Sequence, residues 1–257
     1  NFRIRRPLPA DSVAVLWLGH DSTSGLSDTP WLRQAGEVSI SRVFQPASGE
    51  TQGQTLARAM SAEDISFLLI VDSRSAPGSS STLADMLRVL TAPGVAALAP
   101  KIVLPDQTVD HCGLSFAPGG RLVFPLRGLP AADAAYGAYG ALPRNVAALS
   151  PVAVLLHTAR LRNVSTPDPS MDPAGILVAA CLDARAKGLR IVADGGIRAL
   201  FRAQPFAPGS ALEPGGRHHV QLARRHPSLF VGGDPFYNCN LRTSPPDFGV
   251  WHEALHD

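Results

Sequence analysis

The chain has 257 residues, 45% of them hydrophobic, and carries 23 basic and 21 acidic side chains for a formal net charge of +2. That length supports one large domain or two small ones with a sizeable core, and the near balance of charge, with no Lys/Arg cluster interleaved with aromatics, excludes the electrostatic footprint of a nucleic-acid binder. Cys112, Cys181 and Cys239 are odd in number and show no CxxC spacing, which argues against a disulfide framework or a structural zinc, and no apolar run approaches the ~20 residues of a membrane span.

Asn1 to Ala10 reads as a basic, proline-bearing leader or linker, and residues 11–257 as one domain. No signal-peptide core opens the chain, so it reads as cytoplasmic. It starts at Asn1 rather than Met, which leaves room for further chain upstream. Val13 to Leu18 is a continuous apolar run and predicts a buried strand. The loop after it, Gly19-His20-Asp21-Ser22-Thr23-Ser24-Gly25, either presents short polar groups to a nucleotide or simply turns the chain. Asp28 or Thr29 with Pro30 opens a short helix through Gln34, and Val38 to Val43 alternates as a strand. Thr51 to Ser61 predicts the next helix. Strand, helix, strand, helix is the rhythm of a layered α/β sheet.

Phe67-Leu-Leu-Ile-Val71, bounded by polar runs, is too short for a helix and predicts a central buried strand ending in Asp72. Ligands of open α/β sheets gather outside the carboxyl ends of the strands, so Asp72 marks a candidate polar site; the alternative is a turn and cap before the helix starting near Ser80. That helix runs to Leu90, with Leu83, Met86, Leu87 and Leu90 at helical spacing. Val95 to Ala99 predicts another strand. Val109 to Phe116 and Arg121 to Leu126 flank a hairpin turn, and the Ala/Gly/Tyr-rich stretch from Pro130 to Ala141 reads as a mobile loop. Val152 to Leu156 is a further strand. Ile176 to Lys187 predicts an amphipathic helix stopped by Gly188, followed by a short strand from Leu189 to Val192 and a helical segment from His218 to His226.

Several segments keep a shared order and spacing. They are the strand ending at Asp72, Lys101-Ile-Val-Leu-Pro-Asp-Gln-Thr-Val-Asp-His-Cys-Gly113, Phe124-Pro-Leu-Arg-Gly-Leu-Pro130, Pro143-Arg-Asn-Val-Ala-Ala148, Lys187-Gly-Leu-Arg-Ile-Val192 and Asp234-Pro-Phe-Tyr-Asn-Cys-Asn-Leu241. Across roughly Phe67 to Trp251 the chain resembles the inverting family 2 glycosyltransferases of bacterial surface polysaccharide synthesis. The resemblance implies a GT-A fold, a Rossmann-like three-layer α/β sandwich with a mixed central sheet. It also implies a nucleotide-sugar donor, a glycan acceptor and a divalent Mg or Mn ion bridging the donor diphosphate.

Where the family has an acidic metal motif, this chain has Asp72-Ser73-Arg74. Asp72 is kept as a metal acid, the second position is Ser, and Arg74 stands where an acid is expected, so metal is doubtful here. A guanidinium matches phosphate oxygens, which makes Arg74 a candidate donor ligand without metal; the alternative is a solvated loop charge. Inverting transfer needs a carboxylate base. The resemblance places it in the segment that reads Ile176-Leu-Val-Ala179, where no acid remains. Asp168 and Asp172 lie upstream as substitute bases or as cap and turn residues, and Asp183 is expected to face solvent. In the amino-terminal third one strand-helix unit, Val13 to Gln34, is expected to serve where the family has two. Asp21, Ser22 and Thr23 match the family's nucleotide-contacting turn in part. His111 aligns with a family histidine on the acceptor side or is a packed strand residue, and His218, His219 and His226 read as structural rather than as a metal cluster.

Two functions follow. One is a degenerate transferase domain with a scaffold, regulatory or sugar-nucleotide-binding role beside an active partner or other domains. The other is an active, metal-independent transferase using Arg74 for the diphosphate and Asp168 or Asp172 as base.

Overall fold

The computed structural model describes residues 7–9, 12–19, 29–238 and 240–243. Asp21, Ser22 and Thr23, most of the leader, Cys239 and the 244–257 tail lie outside the described residues. The chain runs β1 (Val13–Leu18), α1 (Pro30–Arg33), β2 (Ile40–Phe44), α2 (Gln52–Ser61), β3 (Phe67–Asp72), β4 (Ser75–Pro77), α3 (Thr82–Leu90) and β5 (Val95–Val103). There follow β6 (Val109–His111), β7 (Ser115–Phe116), β8 (Leu122–Val123), β9 (Pro143–Asn145), β10 (Ala153–His157), α4 (Thr158–Arg162), α5 (Pro173–Ala186), β11 (Arg190–Phe201), α6 (Arg217–Arg225) and α7 (Pro227–Gly232).

A 9-stranded sheet of order β2-β1-β3-β10-β5-β11-β4 organises the molecule, with β6 added beside β5 and β9 beside β11. β1 is parallel to β2 and β3, β10 is antiparallel to β3, and β5 is parallel to β11, so the sheet is mixed. Strand side chains alternate between faces, and the core divides accordingly. Leu68 and Ile70 of β3 join Leu56 and Met60 of α2 and Ile176 and Leu177 of α5 on one face. Phe67, Leu69 and Val71 join Trp31 of α1 and Leu83, Met86 and Leu87 of α3 on the other. Helices on both faces of a mixed sheet give the three layers expected.

Local chemistry fixes the helix starts. Thr51 accepts from Gln54 N, and the Gln54 side chain returns to Thr51 N, a capping box that opens α2. Thr29 caps α1 with Pro30 in its first turn, and Asp172 caps α5 with Pro173 behind it.

Five expectations are corrected. Two strand-helix units, β1–α1 and β2–α2, precede β3 rather than one, although α1 is a single turn. α5 is not amphipathic: every residue from Ala174 to Ala184 is buried, with the sheet and α2 packed against it and His218, Arg225 and His226 reaching Gly175 and Asp183. Asp183 therefore lies in the interior at 5% exposure, accepting from Ser165 Oγ and Arg225 Nη2 at 2.6 Å each, with His226 Nε2 at 3.2 Å. The 130–141 stretch is an anchored loop, not a free one. Lys101 of β5, only 2% exposed, donates its ammonium protons to the carbonyls of Ala131 at 2.8 Å and Gly140 at 2.6 Å, and burial pushes its pKa down. β11 also continues to Phe201, well past the short strand expected.

Candidate functional site

The carboxyl end of β3 is held by backbone pairing on both sides: Asp72 N donates to Val152 O at 3.0 Å and Ser73 N to Leu18 O at 2.8 Å. Gly19, at the exit of β1, packs so closely that an added Cβ would lie 2.8 Å from Ser73 Cβ. Ser75 Oγ donates back to Asp72 O at 2.8 Å and accepts from Trp31 Nε1 at 3.0 Å, which closes the turn. The fixed backbone sets the two charged side chains of the turn beside each other.

Arg74 clasps Asp72. Its Nε donates to Oδ1 at 2.9 Å, its Nη2 to Oδ2 at 2.8 Å, and its backbone N–H to Oδ1 at 2.9 Å. This is the bidentate geometry in which a guanidinium and a carboxylate match best. The hydrogen bond from Asp72 raises the Arg74 pKa further, so Arg74 stays a cation. It is 55% exposed and rests over the Phe201 ring, 5.2 Å from the centroid. The local spacing of two residues brings acid and cation together, a pairing the sequence reading did not foresee.

Around this pair lies a cleft of ≈ 180 Å³, bordered by Gly19, Gln52, Asp72, Arg74, Asp172 and Phe206. That volume is below the ~300–1,000 Å³ usual for small-molecule sites and suits a diphosphate better than a whole nucleotide-sugar. Gln52 Nε2 donates to Gly19 O at 3.3 Å. α2 reaches the cleft because residue 53 is Gly: a Cβ there would lie 2.0 Å from the Met171 carbonyl oxygen.

Asp172, 100 residues after Asp72, enters the same cleft from the start of α5. Its Oδ1 accepts from Gly175 N at 2.7 Å as the helix cap. Its Oδ2 stands 3.7 Å from Nδ1 of the buried His218, whose pKa burial pushes down. The positive end of the α5 dipole also faces this cleft, favouring an anion there. Asp168 is not on the cleft wall; it accepts from Ser170 N at 2.9 Å in a turn, and the Ser170 side chain first, then this backbone bond, lower its pKa. Ile176, Leu177, Val178 and Ala179 lie one turn inside the helix, packed in the core.

His111 is placed in the interior at 1% exposure rather than on the cleft wall. Its Nδ1 lies 3.0 Å from Asp110 Oδ2 and its Nε2 2.6 Å from Ser150 Oγ. Arg127 Nη2 donates to Asp110 Oδ1 at 2.7 Å and to Phe206 O at 2.8 Å, and Phe206 N donates to Asp110 Oδ2 at 3.0 Å. Burial would raise the Asp110 carboxyl, but the hydrogen bond and charge of His111, the Phe206 N–H and Arg127 together outweigh it, and its pKa falls below the ordinary value. This node latches the segment carrying Phe206, one wall of the cleft. Of the other histidines, His219 Nε2 lies 3.3 Å from Gly119 O, and His226 joins Asp183.

The sequence did not single out Gln52, Phe206 or the Asp110–Arg127 pair. Only Gln52, in the first turn of a helix after a strand, carried a local signal.

A divalent metal was tested against these residues. Among the described residues no group of three or more His, Cys, Asp or Glu side chains could hold a metal ion, and Asp72 already spends both oxygens on Arg74. The donor set does not fit such an ion. Among the described residues no helix is long and apolar enough to cross a membrane.

No protein-family model matches the chain. The O-antigen biosynthesis protein RfbC of Myxococcus xanthus is 25% identical over 172 residues, 66% of this chain, and the chain spans only 13% of that protein's length. Among solved structures, that of GalNAc-T7 with UDP, GalNAc and Mn2+ superposes with a TM-score of 0.53 at 12% identity, covering 83% of this chain and 47% of the other. The fold is GT-A-like, a mixed-sheet α/β architecture shared with a glycosyltransferase of known structure.

Proposed function

We propose that residues 11–257 form one glycosyltransferase-like domain of surface polysaccharide synthesis in which transfer is impaired and a scaffold or sugar-nucleotide-binding role is kept. The observation that carries this reading is the Asp72–Arg74 clasp. The acid that would anchor a metal is neutralised by a cation two residues away, at 2.8 and 2.9 Å. A metal would have to displace a bidentate guanidinium, and among the described residues no group of three or more His, Cys, Asp or Glu side chains is placed to hold it. The aliphatic, buried segment from Ile176 to Ala179 supports the reading, since no group there accepts a proton. The likeness to RfbC supports the polysaccharide context, and the small share of that protein that the chain spans is consistent with other domains or an active partner.

A second reading is favoured by one observation: Asp172 lines the same cleft as Asp72 and Arg74. In that reading Arg74 swings from Asp72 to a donor diphosphate and Asp172 takes the acceptor hydroxyl proton, without metal. Asp168 lies off the cleft wall, so Asp172 is the base this reading uses.

Calorimetry with a panel of nucleotide-sugars, with and without Mn2+, and a product assay separate the two. The first reading expects donor binding that is weak or lacking and no transfer. Metal-independent turnover that disappears in Asp172→Asn would replace it with the second.

A further inference from the structure

A cavity larger than the cleft at β3 lies elsewhere in the molecule. It measures ≈ 620 Å³ and opens between the last turn of α5, the start of β11, α7 and the Pro235–Phe236 segment. The two sites lie at opposite ends of α5: Asp172, Pro173 and Ala174 border the cleft, whereas Leu182, Arg185 and Ala186 border the cavity. Fourteen residues of helix separate these ends by ~21 Å, so one ligand of ordinary size does not span both.

Arg185 is the unusual group. Its side chain is only 16% exposed, and among the described residues its guanidinium makes no hydrogen bond; Asp234, the nearest carboxylate, stands 3.7 Å away. Burial pushes the Asp234 carboxyl up from its ordinary value, while the charge of Arg185 opposes that shift. One face of the guanidinium rests on Phe236, 4.6 Å from the ring centroid. Removing an arginine from water without a full set of acceptors costs several kcal/mol, so its edge beside an open cavity is a place for an anion. Arg190 stands at the rim with its Nε on Asn145 Oδ1 at 3.1 Å, leaving the other donors of its fork available.

The carboxyl end of a helix would normally repel an anion. Here the carbonyls of Asp183, Ala184 and Arg185 already accept from the N–H groups of Lys187, Gly188 and Leu189, so the last turn is internally capped. The remaining wall is apolar, with Leu182, Ile191 and Leu229 beneath the two arginines. A bare ion would leave most of that wall uncovered.

We propose that this cavity is a second binding site, taking an oxyanion, phosphate or carboxylate, carried on an apolar or aromatic body, with Arg185 and Arg190 holding the charged end. The site does not depend on whether the cleft at β3 is active.

Calorimetric titration of phenyl phosphate, benzoate and inorganic phosphate into the full chain tests it, in an Arg74→Ala background so that binding at the cleft does not contribute. Saturable binding of phenyl phosphate or benzoate is expected, tighter than inorganic phosphate. It should weaken at least about tenfold in Arg185→Met and severalfold in Arg190→Gln, as expected for loss of a charge-assisted pair. Arg190 is exposed, so its variant decides the matter if Arg185→Met does not fold. The relative strength of phenyl phosphate and benzoate tells which oxyanion the pocket prefers. Absence of saturable binding by both aromatic probes, or affinity unchanged in Arg190→Gln and in folded Arg185→Met, overturns the proposal.

Discussion

Two carboxylates in this molecule, Asp110 and Asp72, are each held by an arginine, and they differ in nearly everything else. Asp110 is fully buried and is held by Arg127, His111 and the Phe206 N–H, so both of its oxygens are engaged in a packed interior. Asp72 is 19% exposed, and its arginine is 55% exposed at the edge of an open cleft. Water and salt screen the second pair and not the first. The same residue types thus make a structural lock in one place and an exchangeable contact in the other, with burial alone deciding which.

Removing one partner sharpens that contrast most. Asp110→Ala leaves Arg127 and His111 with an uncompensated buried site, and a loss of ~3–5 kcal/mol is expected in urea unfolding. A change below ~1 kcal/mol would place the node outside the folding core.

Acid provides a gentler version of the same test. The folded pKa of Asp110 is lowered, so its contribution to stability is complete above the unfolded value of ~3.9 and is lost as pH falls through the folded value. The urea midpoint of the parent chain should therefore fall below about pH 4. Asp110→Asn should lack that acid limb; identical pH profiles for the two chains would contradict the assignment.

Between the two carboxylates in expected effect lies Gly53→Ala. The new Cβ has no room beside the Met171 carbonyl, and α2 must shift at a cost of ~1–3 kcal/mol. Because α2 carries Gln52, this variant should also loosen the cleft, read as faster amide exchange at Gly19 and Gln52. Smallest of all, Asp72→Asn should change stability by less than ~1 kcal/mol, since exposed ion pairs contribute little. A loss as large as that of Asp110→Ala would erase the distinction between lock and contact.

The same distinction explains what the sequence could and could not disclose. β3 was legible because five apolar residues between polar runs have few alternatives, whereas Arg74 was read as a phosphate ligand or a solvated charge and its pairing with Asp72 was not foreseen. Asp172 was legible as a cap, but its place in the cleft depends on how α5 crosses the sheet. Asp183 was misread because its partners lie 18 to 43 residues away, Ser165 before α5 and Arg225 and His226 at the end of α6. The 130–141 loop looked free because its anchor, Lys101, belongs to a strand that reads as wholly apolar up to Ala99. For Asp183 and the loop the missing information was tertiary: a charge whose partner comes from another part of the chain.

The central claim is that Arg74 occupies the place of the metal. Titrating Mn2+ into the protein in the presence of UDP, with free Mn2+ followed by electron paramagnetic resonance, tests it directly on the parent chain and on Arg74→Asp. Against a control of Mn2+ and UDP alone, the parent should leave the free Mn2+ signal unchanged, and Arg74→Asp, which restores an acid two residues from Asp72, should deplete it further. Uptake of Mn2+ by the parent as tight as by the variant would contradict the account.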